Sequence, residues 1–395
     1  MAALPEGSPA PLDGNLTNLF DLVNKPFSLY VHVPYCSKRC GYCDFNTYTP
    51  SELDREDQIE GWLNSAVKEI ELARRVLQEE LTIDTIFFGG GTPSLLDSNT
   101  VDNFIQSVKS NFKLKPGLEI TIEANPDSIT EEKSQRWLNS GINRVSIGMQ
   151  SSTKEVLKKL DRTHNPDNVS HSVDILKKSG FDNFSLDLIY GTPGESLNDW
   201  ENSLKDAIAL NPPHISAYSL VIEPGTKMGA QLNRGEISQV NDDEAADKYQ
   251  LADEMLNKNN YSWYEISNWA KKDKECKHNL NYWLGNNWWG IGPGAHSHVN
   301  GVRWWNHKLP KVWRELLEKQ NSPALAREVL SEDQIRSEQI MLLSRLRTGL
   351  GNQELDENRI ENLIANQLAT LDANKIVLTL KGRLLADEVF RQLSA

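Results

Sequence analysis

The sequence predicts an α/β protein whose main part is a three-quarter, six-stranded TIM-type barrel, followed by a small and mostly helical C-terminal module. Two observations predict this architecture. Apolar, β-rich runs occur six times in the first 220 residues, and each is followed by a segment with helical periodicity. Repeated β–α units form a parallel sheet with helical crossovers, and six units are too few to close an eight-stranded barrel.

The predicted strands are short apolar runs that alternate with amphipathic segments. They are Ser28–Val33, Thr85–Phe88, Glu119–Glu123, Arg144–Gly148, Phe184–Ile189 and Ile215–Leu220. Residues 61–80 and 168–179 place apolar side chains at helical spacing and predict two of the crossover helices. In a barrel of this kind, we expect functional side chains at the C-terminal ends of the strands.

The chain divides into four predicted regions. Residues 1–25 are expected to form a flexible leader, and residues 26–265 the partial barrel. Residues 266–325 are rich in Trp, Asn, Gly and His with little periodicity, which predicts an irregular but ordered segment. Residues 326–395 return to helical patterns around one short β-like run, Ile376–Thr379, and predict a helical or winged-helix-like module.

Composition favours a soluble globular protein and limits its partners. Hydrophobic residues make up 38% of the chain, charged residues 25%, and the net charge is −13. An acidic surface argues against a protein that follows a nucleic-acid backbone, so we expect no nucleic-acid partner. No apolar run approaches the roughly 20 residues of a membrane span, and no secretory signal is recognisable. The expected location is the cytoplasm, which leaves peripheral membrane association open.

Three of the four cysteines lie within eight residues, in Cys36-Ser-Lys-Arg-Cys40-Gly-Tyr-Cys43. A disulfide framework would distribute its cysteines and suits a small secreted domain. Zinc usually takes paired C-x2-C elements and four ligands, whereas this chain has one such pair. Zinc and chance clustering are the alternatives to an iron–sulfur cluster. Three thiolates at this spacing can bind three irons of a [4Fe–4S] cluster and leave the fourth iron open.

The cysteine motif follows the first predicted strand, at the functional end of the predicted barrel. In this position it resembles the radical S-adenosylmethionine (SAM) superfamily, in which Tyr42 matches an aromatic position near the adenine of SAM. The resemblance implies that Cys36, Cys40 and Cys43 hold the cluster. It also implies that the open iron binds the amino and carboxylate groups of SAM, and that an electron from the cluster cleaves a C–S bond.

A glycine-rich turn, Gly89-Gly90-Gly91-Thr92-Pro93, follows the second predicted strand. Glycines at a strand end let backbone groups approach a ligand closely, although a tight turn explains the same residues. After the second strand of such a barrel, the turn resembles the superfamily segment that binds the methionyl amino group. We therefore expect Gly90, Gly91 and Thr92 to contact SAM.

Several polar residues lie near the ends of later predicted strands. Glu123 offers a carboxylate that can accept hydrogen bonds from both ribose hydroxyls. Gln150, Arg162 and Asp187 follow at spacings that resemble one branch of the superfamily, which contains oxygen-independent coproporphyrinogen III oxidase, and Tyr30 matches that branch as well. We expect all of them to bind one or two molecules of SAM. A structural ion pair between Arg162 and Asp187 is the alternative, because buried charges are rarely unpaired.

Two features distinguish this chain from the oxidase. The oxidase has a fourth cysteine two residues after the third, where this chain has Phe45. The segment His278-Asn-Leu-Asn-Tyr282-Trp283 resembles a motif of the heme chaperones in the same branch, which implies that His278 is an axial ligand of heme iron. A neutral imidazole can bind heme iron and aromatic neighbours can pack on a porphyrin. A hydrogen-bonded structural histidine is the competing interpretation.

Two further groups are expected to be structural. Trp288, Trp289, Trp304 and Trp305 are predicted to fill a core or a lid more readily than to stack on a porphyrin. Cys276 lies two residues before His278 and is expected to be incidental, with ligation of heme by the Cys-Lys-His segment as the alternative.

The favoured hypothesis is a heme chaperone that binds heme and delivers it to apo-hemoproteins. Respiratory enzymes at the membrane are the expected recipients, and a homodimer is a further expectation. The protein would carry a [4Fe–4S] cluster and SAM without oxidising coproporphyrinogen. The alternative is the oxidase itself, against which Phe45 counts. A methylthiotransferase acting on RNA would need a second cluster or a basic module, and the sequence shows neither.

Overall fold

The computed structural model describes residues 6–16, 22, 24–77, 81–353 and 355–394. In this part of the chain, thirteen strands form one continuous sheet. They are β1 (Ser8–Pro9), β2 (Phe27–Val33), β3 (Thr82–Gly90), β4 (Lys113–Ala124), β5 (Arg144–Gln150), β6 (Phe184–Tyr190), β7 (His214–Ser219), β8 (Ser262–Glu265), β9 (Asn268–Ala270), β10 (Asn287–Ile291), β11 (His296–Val299), β12 (Val302–Asn306) and β13 (Ala324–Val329). Their order in the sheet is β1-β13-β12-β11-β10-β2-β3-β4-β5-β6-β7-β9-β8.

The centre of the sheet is a partial barrel of parallel strands. The strands β2 to β7 are parallel and correspond to the six predicted runs, which confirms the predicted fold class. Strand β2 illustrates why these runs form strands, because six of its seven residues are buried. A parallel strand that is covered on both faces has a nearly continuous apolar sequence.

Helices connect the parallel strands and continue into the C-terminal part. They are α1 (Ile59–Leu77), α2 (Ser98–Asn111), α3 (Glu131–Ser140), α4 (Lys154–Lys159), α5 (Pro166–Ser179), α6 (Leu197–Ala209), α7 (Lys227–Asn233), α8 (Asp242–Lys258), α9 (Lys277–Trp283), α10 (Pro310–Glu318), α11 (Glu332–Ser344), α12 (Glu357–Ala365), α13 (Leu380–Leu384) and α14 (Ala386–Ser394). The helices α1 and α5 confirm the two that were predicted from periodicity. Over the described residues, none of the helices is long and apolar enough to cross a membrane.

The segment from 266 to 325 differs from the irregular structure that its composition predicted, because it contains β9 to β12. Strand β10 pairs with β2 in parallel and adds a seventh parallel strand, whereas β9, β11 and β12 pair antiparallel at the two edges. The strands are short and contain Trp, His, Asn and Gly in place of aliphatic runs. Gly290 is required because a Cβ there would lie 2.1 Å from the carbonyl oxygen of His296.

The predicted leader, residues 1–25, is partly held by the sheet. Ser8 and Pro9 form β1, which pairs antiparallel with Ala326 and Arg327 of β13. This part of the segment therefore has regular structure, whereas residues 1–5, 17–21 and 23 lie outside the described residues.

The C-terminal part has a hydrophobic cluster of its own. Three short strands, β14 (Leu350–Gly351), β15 (Ala369–Asp372) and β16 (Lys375–Leu378), form a sheet in the order β14-β16-β15. Buried side chains of α11, α12 and α14, among them Ile340, Leu363 and Val389, pack together with this sheet. The module thus combines helices with a three-stranded antiparallel sheet.

A buried arginine joins the module to the barrel. Arg383, in α13, donates two hydrogen bonds of 2.8 Å to the carboxylate of Asp253 in α8 and a third, of 3.1 Å, to the hydroxyl of Tyr249. Its guanidinium also lies 4.5 Å from the ring centroid of Trp263. Both ends of the ion pair are largely excluded from water, so removal of one end leaves a buried charge without compensation.

We predict that Arg383→Ala lowers the free energy of unfolding by about 3 kcal/mol, because it leaves Asp253 buried and unpaired. Urea denaturation followed by tryptophan fluorescence measures this loss. The matched control is Arg391→Ala, which removes an exposed ion pair with Glu388 and should cost less than about 0.5 kcal/mol. Equal midpoints for the two variants would contradict the role given to Arg383.

Candidate functional site

A cavity of about 510 Å³, here called the barrel cavity, opens at the C-terminal ends of the parallel strands. All thirteen residues that the sequence analysis selected line it. They are Tyr30, Cys36, Cys40, Tyr42, Cys43, Gly90, Gly91, Thr92, Glu123, Gln150, Arg162, Asp187 and His278. The volume is within the range of small-molecule sites.

The three clustered cysteines lie in the loop that follows β2, and none of them forms a disulfide. The loop is fixed by backbone hydrogen bonds, including one of 3.0 Å from the Cys36 amide to the Tyr48 carbonyl. The hydroxyl of Thr92 donates to Cys36 Sγ at 3.7 Å, and Arg162 donates to Cys40 Sγ at 3.6 Å. These donors suit sulfur atoms that carry negative charge, as cluster ligands do.

The thiols fit a cluster. The described residues bring no three His, Cys, Asp or Glu side chains around one point that could hold a metal ion. The ligands of a [4Fe–4S] cluster bind different corners of a cube and need not converge in this way. Burial raises the pKa of Cys43 to about 11, so that iron binding has to displace the proton of this thiol.

The glycine-rich turn docks directly on the cysteine loop. The amide of Gly91 donates to the carbonyl of Val33 at 2.8 Å, and the amide of Thr92 donates to the carbonyl of Tyr35 at 2.8 Å. A Cβ at Gly91 would lie 2.6 Å from the Tyr35 carbonyl oxygen, and Gly90 has φ +105°. The two glycines are therefore required by the close approach of the loops, whatever ligand the turn binds.

Two carboxylates, Glu123 of β4 and Asp187 of β6, line the barrel cavity from strands that flank β5. Glu123 accepts a hydrogen bond of 3.1 Å from the amide of Gly90, and burial together with Asp187 raises its pKa to about 8. Asp187 accepts hydrogen bonds of 2.7–2.8 Å from three serine hydroxyls, those of Ser146, Ser185 and Ser216. The serines fix the position of Asp187, and its charge favours a protonated Glu123.

The Arg162 side chain contacts the cysteine loop through Cys40. The structural alternative, an ion pair between Arg162 and Asp187, is not formed among the described residues. The guanidinium of Arg162 donates to the Asn125 side-chain oxygen at 2.7 Å and to the Gly148 carbonyl at 3.2 Å, in addition to Cys40. Asn125 is thus a site residue that the sequence analysis missed, although it directly follows a predicted strand.

Some polar atoms in the wall of the barrel cavity lack a partner within the described part of the chain. They include Oε1 of Gln150 and Nε of Arg162. Gln150 also has a positive φ of 57°, a conformation that is uncommon for residues other than glycine. Because a buried polar atom without a partner is costly, these atoms fit a cavity that receives a polar ligand.

His278 is fully enclosed, with 1% of its surface exposed. Its Nδ1 lies 2.7 Å from the Thr85 hydroxyl, its Nε2 lies 2.9 Å from the Tyr282 hydroxyl, and its ring stacks on Phe87 at 5.1 Å. Burial lowers its pKa to about 3, so the ring is neutral. Both nitrogens are engaged, and this geometry favours the structural interpretation over the predicted axial ligation of heme.

The segment before His278 explains its placement. Helix α9 begins at Lys277, and the carboxylate of Glu119 accepts the amides of Lys277 and His278 at 3.1 Å each. A carboxylate at this end of a helix is favourable because the first amides have no partner inside the helix. Cys276 donates to the same carboxylate at 3.4 Å, which gives this thiol a structural contact.

A second cavity of about 510 Å³, here called the outer cavity, lies beside the first. Tyr30, Asp44, Phe45 and Tyr282 line both cavities and form the wall between them. The sequence analysis did not find it, because short segments from distant parts of the chain build it. Of the four tryptophans, Trp289, Trp304 and Trp305 are buried as predicted. Trp288 is partly exposed and lines the outer cavity.

Comparison with known proteins agrees with this geometry. Residues 30–207 match the sequence model of the Radical SAM superfamily. The heme chaperone HemW of Mycobacterium tuberculosis (strain ATCC 25618 / H37Rv) is 41% identical over 387 residues, covering 97% of this chain and 98% of that protein. The heme chaperone HemW of Bacillus subtilis (strain 168) is 32% identical over 379 residues, covering 92% and 98%.

The fold also matches a solved structure. Coproporphyrinogen III oxidase (HemN) from Escherichia coli superposes with a TM-score of 0.80, covering 93% of this chain and 90% of that chain at 21% sequence identity. This likeness is one of fold.

The matched range and the cysteine loop define a radical SAM protein. The chain belongs to the HemW family of that superfamily, whose curated members are named heme chaperones. The superfamily uses a [4Fe–4S] cluster and SAM, and the thiols, donors and unpartnered polar atoms of the barrel cavity fit both.

We predict that Cys40→Ala retains about tenfold less iron than the wild type after anaerobic reconstitution, because a cluster ligand is lost. Iron analysis and the absorbance of the cluster measure the effect. Cys276→Ser is the matched control, since this thiol contacts Glu119 and should leave the iron content unchanged. An unchanged cluster in Cys40→Ala would contradict the ligand set.

We predict that Glu123→Gln flattens the pH dependence of stability. An unfolded glutamate has a pKa near 4.3. The folded pKa is about 8, so the folded chain keeps a proton that the unfolded chain releases. Stability therefore falls as pH rises through this window, by up to about 1.4 kcal/mol per pH unit for one group.

Urea denaturation between pH 5 and 8 tests this prediction, with the wild type and Glu123→Gln compared at each pH. Burial raises the pKa of Glu69 to about 7. This carboxyl therefore gives both proteins a similar decrease of stability with pH, which is the pH dependence that remains in Glu123→Gln. Parallel curves for the two proteins would show that Glu123 is ionised in the folded chain.

Proposed function

We propose that this protein is a heme chaperone, which binds heme and delivers it to apo-hemoproteins, and that the barrel cavity holds a [4Fe–4S] cluster together with SAM. One observation carries the proposal: the thirteen residues expected to bind the cluster, SAM and heme surround the barrel cavity, and Phe45 stands there in place of the oxidase's fourth cysteine. The names of the relatives support the same assignment.

Each side chain of the barrel cavity has a proposed task. Cys36, Cys40 and Cys43 bind the cluster, and Arg162 and Thr92 donate hydrogen bonds to their sulfurs. When bound, the cluster supplies an electron that can cleave a C–S bond of SAM.

The remaining residues would bind SAM itself. The turn at Gly90 and Gly91 would bind the methionyl amino group and Glu123 the ribose hydroxyls, while Tyr42 would lie near the adenine. Tyr30, Gln150 and Asp187 would complete the site for one or two molecules of SAM.

The cluster and SAM would regulate heme transfer or dimerisation in this proposal, and would not oxidise the porphyrin. The proposed recipients are apo-hemoproteins, including respiratory enzymes at the membrane, which would require peripheral association with the bilayer. The oxidase remains the second candidate because its fold matches over 93% of this chain.

One experiment separates the two candidates. The full chain is reconstituted anaerobically and divided between two assays, coproporphyrinogen III turnover with SAM and a reductant, and transfer of bound heme to apomyoglobin. We expect heme transfer and no porphyrin turnover. Formation of protoporphyrinogen would overturn the assignment. The Cys40→Ala protein is the control that shows whether transfer depends on the cluster.

A further inference from the structure

We propose that heme binds in the outer cavity with His296 as an axial ligand of its iron, and that His278 does not ligate it. The inference rests on the proposed function and locates the heme site that this function requires. The outer cavity is formed by β10, β11 and β12, by the end of α9, by the loop that contains Phe45, and by one face of α11.

The lining of the outer cavity suits a flat, largely apolar ring. Phe45 is 59% exposed, and Tyr282, Trp288, Met341 and Leu342 contribute further aromatic and apolar surface. Large exposed apolar side chains grouped around a concave surface are typical of ligand sites. The volume of about 510 Å³ is adequate for a cofactor-sized ligand.

The hydrogen bonds of the histidines select His296. Five histidines line the two cavities. In His32, His214, His278 and His298, both ring nitrogens lie within hydrogen-bond distance of another group. Among the hydrogen bonds assigned within the described ranges, none involves the ring nitrogens of His296. It is therefore the imidazole that can offer a lone pair to iron without first breaking a hydrogen bond.

The surroundings of His296 prepare it for ligation. The residue is exposed, and its ring stacks on Trp305 with the centroids 5.9 Å apart. Partial desolvation of the ring by its neighbours, followed by the charges of Lys308 and Arg303, lowers its pKa. The lowered pKa favours the neutral imidazole, which is the form that binds a metal.

The charges of the outer cavity suit a ligand with carboxylate groups. Arg303 and Lys308 both line it, and Asp44 and Glu338 of α11 are the acidic side chains of the lining. Arg303 already forms ion pairs with Glu328, at 2.7 Å, and with Glu338. A heme propionate would therefore compete with Glu338 for Arg303, at the contact between the barrel and the C-terminal module.

The wall between the cavities gives the segment at 278–283 a positioning role. His278 holds the hydroxyl of Tyr282, and the Tyr282 ring meets Trp288 edge to face at 4.8 Å. The other face of this wall lines the barrel cavity, together with Phe45. A heme in the outer cavity would thus lie next to the barrel cavity. Changes at the cluster or SAM could reach the heme through the wall that the two cavities share.

Hemin titration of the reconstituted full chain tests the inference, with resonance Raman detection of the iron–imidazole vibration in the reduced complex. We expect His296→Ala to weaken hemin binding about tenfold and to lose this vibration, and added imidazole to restore it. His278→Ala should keep the vibration and bind within about threefold of the wild type. His171→Ala, on the exposed side of α5, is the matched control.

The outcomes separate the inference from the function on which it rests. If the wild type binds no hemin, the proposed function fails. If the wild type binds hemin and His296→Ala keeps the vibration, only the location is wrong. Loss of the vibration in a folded His278→Ala protein, with His296→Ala unaffected, would return the axial role to His278.

Discussion

The arrangement of the site depends on the way the end of β3 is fastened to the cysteine loop. The amides of Gly91 and Thr92 bond to the carbonyls of Val33 and Tyr35, and the register of β2 and β3 pairs Val33 with Gly90. The contact is so close that a side chain at Gly91 would meet backbone oxygen. The parallel strands β2 and β3, which are rigid elements of the core, therefore fix the position of the cysteines.

The same strand, β2, also organises the second cavity. On its other side it pairs in parallel with β10, and this pairing places Trp288 beside Ser28. Tyr30 of β2 then lies between the two compartments and contacts His32 at 3.0 Å. A single strand thus connects the barrel cavity, which fits the cluster and SAM, to the outer cavity, which fits a porphyrin. In the proposed chaperone, the cluster and SAM lie in one cavity and the heme in the other. The two cavities share a wall, but they do not form one reaction centre.

Much of the fold could be predicted because it rests on local patterns. The apolar runs from Ser28 to Leu220 are buried on both faces of the sheet, so each one is visible in the sequence by itself, and the cysteine spacing is equally local. Strand β10 could not be predicted, because Asn287–Ile291 becomes a strand only through its pairing with β2. The surroundings of His278 could be predicted only in part: Tyr282 follows it by four residues in the same helix, whereas Thr85, which contacts its Nδ1, comes from the distant strand β3.

In the proposed arrangement, one chain holds an iron–sulfur cluster and a heme in adjacent and separate compartments. A crystal structure of the reconstituted protein with hemin, phased on the anomalous scattering of iron, tests this claim most directly. We predict one group of iron sites beside Cys36, Cys40 and Cys43, and a single iron beside His296 in the outer cavity. A porphyrin iron inside the barrel cavity, or one bound to His278, would contradict the account.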